Sequence, residues 1–90
     1  MKKTILVARA ESVTAFIEKQ LIWIRFGFVG VCAGHNISAV EVEASIEFLP
    51  QVVEGQEYIL CFESDLRPIG QILKGRLIKI KNLEHQHGFL

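Results

Sequence analysis

Ninety residues, half of them hydrophobic, fit one small domain that buries only about 60–65% of its unfolded surface, so its core must be compact and rich in large side chains. Ten Lys and Arg balance ten Asp and Glu, and a formal net charge of zero excludes bulk electrostatic steering towards nucleic acid, leaving only a local patch for that role. With so few residues to cover so much apolar surface, part of it is expected to face another subunit.

The opening MKKTILVARAE imitates a signal peptide, but Arg9 cuts its apolar part to about five residues, short of the roughly 7–15 an h-region needs. It reads as a first strand over TILVARAESV, residues 4–13. Val13, Phe16, Ile17, Leu21 and Ile24 also recur at helical spacing, so a short helix around 13–19 stands as the alternative to a hairpin turning at Glu18–Gln20. Ser12 could cap that helix, although no Glu or Gln follows three residues on.

The second segment, LIWIRFGFVGVC at 21–32, is too rich in Ile, Val, Phe and Trp for a helix and reads as a strand bulged or bent near Gly27 or Gly30. The third, 37–49, alternates strictly: Val40, Val42, Ala44, Ile46 and Phe48 against Glu41, Glu43, Ser45 and Glu47, a half-buried strand with an acidic outer face that Pro50 ends. The fourth, 56–64, sets Tyr58, Leu60 and Phe62 on one side. The fifth, 69–83, changes phase around Gly75 and Arg76, which predicts a β-bulge, with Ile78 and Ile80 then opposite Lys79 and Lys81. Residues 84–90 read as a flexible tail after a single domain over 1–83.

Five strands and at most one short helix predict a mostly β protein, a small five-stranded antiparallel or Greek-key barrel whose closure also removes exposed edges. Across residues 4–83 the pattern resembles the oligonucleotide/oligosaccharide-binding (OB) fold, in its long bent second strand, the Gly-led VVEGQEYILCF and the closing GRLIKIKNL. It departs from that fold where a helix commonly bridges strands three and four, since PQVVEGQ leaves hardly any room. The resemblance implies a ligand face on strands two and three, with the loops around Glu18–Gln20 and Ser64–Gly70 contributing Lys19 and Arg67.

On a regular second strand Trp23 and Arg25 share one side, while Ile22, Ile24, Phe26 and Phe28 take the other. An outward Trp beside an Arg suits base stacking and phosphate contact; it suits a subunit interface equally, and a Trp in the core is the third reading. Glu41, Glu43 and Glu47 work against a phosphate backbone and read as a solvated face paired with Arg25, Arg76, Lys79 and Lys81. Lys74, Arg76, Lys79 and Lys81 form the strongest basic cluster, though alternating lysines also keep a sheet edge soluble.

Cys32 and Cys61 lie in apolar segments without a secretory leader, which favours buried free thiols in a reducing cytoplasm. Cys32, His35, Cys61, His85 and His87 include zinc-ligand types, but CAGH has no matching second pair, so neither a metal nor another cofactor is expected. No nucleophile elbow or Gly-rich phosphate loop is present, and no membrane span is expected. The expectation is a non-catalytic OB-like accessory protein that contacts single-stranded nucleic acid through Trp23, Arg25, Lys19, Arg67, Lys79 and Lys81. The alternative is a protein-interaction or structural subunit, a homo-oligomer or part of a larger assembly, anchored by Trp23 and Phe28. An enzyme fragment or metal-dependent regulator using the Cys and His set is a weaker third.

Overall fold

Each apolar segment of the sequence becomes a strand in the computed structural model, which describes residues 2–28, 38–64 and 72–83, with the side chains of Lys2 and Phe28 excluded. The strands are β1 (Lys2–Phe16), β2 (Leu21–Phe28), β3 (Ala39–Ser45), β4 (Glu57–Ser64) and β5 (Ile72–Asn82). They close into a barrel in the order β1-β2-β3-β5-β4, with β1 returning to pair β4. Every neighbouring pair is antiparallel except β3 and β5, which run parallel. A closed barrel with this order is consistent with an OB-like fold.

Period-two burial drives the closure. Ile22, Ile24 and Phe26 on β2, Val40, Val42 and Ala44 on β3, and Tyr58, Leu60 and Phe62 on β4 all point inward and meet Ala8, Ala10, Leu73 and Leu77 in one core. Phe26 and Tyr58 pack edge to face, ring centroids 6.5 Å apart. The Tyr58 hydroxyl accepts the Val53 N–H at 2.7 Å, which ties the barrel interior to the turn containing Gly55, whose φ of 89° lies in the left-handed region.

The hairpin reading of residues 13–24 holds: Phe16 ends β1, Ile17–Lys19 form one 3-10 turn, and Gln20 in the left-handed conformation reverses the chain into β2. No helix occupies 13–19. The irregularity expected near Gly27 or Gly30 falls in the β1–β2 ladder on the β1 side, where Glu11 is an extra residue between Ala10, opposite Phe26, and Ser12, opposite Arg25. A Cβ at Gly27 would stand 2.6 Å from the Glu11 carboxylate, so the glycine makes room for the bulged side chain. Gly30 lies outside the described residues.

The third segment is corrected at its end. Only Ala39–Ser45 is strand; Ile46–Gln51 is a 3-10 helix that contains Pro50 rather than stopping before it. Ser45 Oγ receives the Glu47 N–H, and the Ile46 N–H goes to the Gln20 carbonyl on the β1–β2 turn, so the chain leaves the ladder while Ile46 and Phe48 still pack on the core. This six-residue segment occupies the connection in which an OB fold commonly carries an α-helix.

On β5 the predicted phase change exists, two residues later than expected. Leu77 pairs with Phe62 and Lys79 with Cys61, which makes Ile78 the extra residue, so Ile80 faces the core and Ile78 does not share its row. Gly75 marks a different constraint, because a Cβ there would collide with the Glu63 carbonyl of β4. No helix of the described residues is long and apolar enough to cross a membrane.

Candidate nucleic-acid interface

Strand alternation puts Trp23 and Arg25 on the outer surface, since the flanking Ile22, Ile24 and Phe26 are fully buried. Trp23 is half-buried there, opposite Thr14 of β1 and Glu43 of β3. It is not sealed in the core. Arg25 lies opposite Ser12 and Glu41, its side chain 42% exposed.

Phe16 joins them. It stands two residues beyond Thr14 on β1, on the same face, and is 41% exposed, which makes it the diagonal neighbour of Trp23 across the hairpin, about 7–8 Å away by strand geometry. Lys19 is exposed at the tip, directly past Phe16. An outer stripe along the hairpin thus runs Lys19, Phe16, Trp23, Arg25. The sequence signal for Phe16 was its place in a segment open to both helical and hairpin readings, and only the hairpin register turns it outward.

Electrostatics temper the stripe. Arg25 Nε sits 3.3 Å from a Glu11 carboxylate oxygen, Arg25 Nη1 is 3.7 Å from Glu41, and Lys74 Nζ is 3.9 Å from the other Glu41 oxygen. The result is an alternating ladder across four strands, in which the guanidinium already has two carboxylates. Each such exposed pair contributes only a few tenths to about one kcal/mol, so a phosphate can compete for Arg25. Glu43 and Arg76 face each other across β3 and β5. Glu47 belongs to the 3-10 helix and leaves the acidic row at two members.

The remaining predicted contacts are not on this stripe. Lys79 and Lys81 are exposed on β5 beyond its pairing with β3, opposite Cys61 and Ile59 of β4, and so lie around the barrel from Trp23. Arg67 lies outside the described residues. Phe28 ends β2 opposite Ala8, and its side chain is likewise outside them.

A second surface was not anticipated. On the outside of β1 and β4, Ile5 is 71% and Val7 36% exposed, with half-buried Cys61 and Ile59 as their register partners. Cys61 is a free thiol on this outer face, not in the core as its apolar segment suggests. Among the described residues no three His, Cys, Asp or Glu side chains come together to hold a metal, and Cys32, His35, His85 and His87 lie outside them. Compared with known proteins, the chain matches no family model, no curated protein and no solved structure.

Proposed function

We propose that this chain is a non-catalytic binding module, a small accessory protein whose OB-like barrel takes single-stranded nucleic acid along the outer face of the β1–β2 hairpin. The juxtaposition of Trp23 and Phe16 carries the reading: two partly exposed rings one diagonal step apart form a stacking platform, with Lys19 at one end and Arg25 at the other to hold phosphates. Lys79 and Lys81 sit outside this track. Because the chain as a whole carries no net charge, the platform works mainly by stacking and binds weakly at physiological salt. A reducing compartment, the cytoplasm, suits the free Cys61 thiol.

The test is fluorescence anisotropy with a labelled oligothymidylate of about a dozen nucleotides, at two salt concentrations. Affinity should fall as salt rises and drop about tenfold or more in Trp23→Ala. No binding even at low salt contradicts the reading.

One observation favours the second reading, a protein-binding subunit: Arg25 is flanked by carboxylates on both sides. In that case Trp23 anchors a partner chain and Glu11, Glu41 and Glu43 form its polar rim.

A further inference from the structure

The parallel ladder between β3 and β5 runs from Ala39 and Ile72 to Glu43 and Arg76 and stops there. Beyond that row β3 gives way to the 3-10 helix after Ser45, while β5 continues beside β4. The barrel wall is open between them, and a cleft of about 340 Å³ fills the gap, within the range of roughly 300–1,000 Å³ that holds small ligands. Its inner part is apolar: Ala44 and Leu77, core residues each only 5% exposed, line it together with Leu21 of β2 and Phe48 of the 3-10 helix. Glu43 and Arg76, on the outward positions of the two strands, line its outer part. Among the described residues neither makes an ion pair or a side-chain hydrogen bond, whereas Glu41, one step along β3, is held between Arg25 and Lys74. An unpaired carboxylate and an unpaired guanidinium thus flank an apolar slot.

We propose that this cleft takes one guanine of a bound single strand, the Glu43 carboxylate accepting from the base and the Arg76 guanidinium holding a phosphate; the proposal rests on the stacking reading above and adds base preference to it. Position supports the link. Glu43 is the register partner of Trp23, and Arg76 that of Glu43, so the cleft lies within two strand spacings, about 10 Å, of the indole. A strand stacked on Trp23 and Phe16 passes its mouth. The chemistry selects the base: a flat apolar body suits the slot, an anion suits Arg76, and Glu43 requires donors. Guanine alone presents two adjacent N–H donors, N1–H and the 2-amino group, on its Watson–Crick edge, matching both oxygens of one carboxylate. Adenine and cytosine offer one donor beside an acceptor. Thymine sets its single N–H between two carbonyl oxygens, which the carboxylate repels.

Anisotropy with three labelled strands of about a dozen nucleotides tests it: oligothymidylate, a strand of TTG repeats, and the same repeats with inosine, which lacks the 2-amino group, in place of guanine. The TTG strand should bind about tenfold tighter than oligothymidylate, the inosine strand should lose most of that gain, and Glu43→Gln should bring the TTG and oligothymidylate affinities within about twofold of each other. The ratio of the two affinities is the readout, because removing a carboxylate strengthens binding of any strand. Should Glu43→Gln fail to fold, the inosine strand on wild type carries the same test. Saturating guanosine monophosphate should also shift the backbone amide resonances of Glu43, Ser45, Phe48 and Leu77. Oligothymidylate that binds as tightly as the TTG strand overturns the guanine cleft and leaves the stacking platform standing. A guanine preference that survives both inosine and Glu43→Gln overturns the cleft as well. Failure of all three strands to bind at low salt overturns both readings together.

Discussion

The Arg25 guanidinium stands 3.7 Å from the Glu41 carboxylate, whose other oxygen faces the Lys74 ammonium at 3.9 Å. With Glu11 on the far side of Arg25, the charges alternate in sign across β1, β2, β3 and β5. A strand of nucleic acid crossing this face must exchange one of these carboxylates for a phosphate, and the weakness of exposed ion pairs makes that exchange feasible without making it strong.

Removing the competing carboxylates should therefore help the ligand. Glu11→Gln combined with Glu41→Gln is expected to raise affinity for oligothymidylate about threefold to tenfold and to steepen the salt dependence by about one phosphate contact, measured by anisotropy across a salt series. Stability in urea should change by no more than about 1 kcal/mol. Unaltered affinity would mean that Arg25 does not touch the strand.

Lysines on different parts of the barrel should separate cleanly. Lys19→Ala, at the hairpin tip beside Phe16, is expected to weaken strand binding and lower the salt slope by about one. Lys79→Ala and Lys81→Ala, beside β4, should leave affinity within about twofold, since at distances beyond roughly 10 Å their charge is screened.

Two glycines predict losses of different size in denaturant melts. Gly75→Ala drives a methyl into the backbone carbonyl of Glu63 and within 2.9 Å of the Phe62 ring, and should cost about 1–3 kcal/mol or more. Gly27→Ala meets only the end of the flexible Glu11 side chain, which can swing into solvent, and should cost less than about 1 kcal/mol beyond the lost Glu11–Arg25 contact.

Tyr58→Phe keeps the ring against Phe26 but deletes the acceptor for the Val53 N–H, and a loss of about 1–2 kcal/mol is expected by urea titration. A neutral result would show that water replaces the hydroxyl at this turn.

The strands and their closure were legible because burial wrote a period of two into β3 and β4: Val40, Val42 and Ala44 alternate with Glu41 and Glu43, and Tyr58, Leu60 and Phe62 with Ile59, Cys61 and Glu63. The same pattern misleads at Ile46 and Phe48. A 3-10 turn also brings both near the core, and what ends the strand there is a hydrogen bond from Glu47 to Ser45 Oγ and one from Ile46 to Gln20, contacts that hydropathy does not record. Trp23 and Arg25 were legible on the outer face from β2 alone. Phe16 was not, because its orientation depends on the one-residue bulge at Glu11 and on the register of a hairpin whose turn competes with a helical spacing. The Ile5 and Val7 patch escaped for a similar reason: exposure on β1 is decided by which neighbour pairs with it, and β4 is about fifty residues away in the chain.

Trp23 is the chain's one tryptophan, so its fluorescence reports the proposed stacking surface directly. Titration of unlabelled oligothymidylate at low salt should quench that emission saturably, and added salt should restore it. Emission that stays constant while the strand is raised to about 100 µM would contradict the account, because an indole in the binding face cannot be stacked upon without a change in its fluorescence.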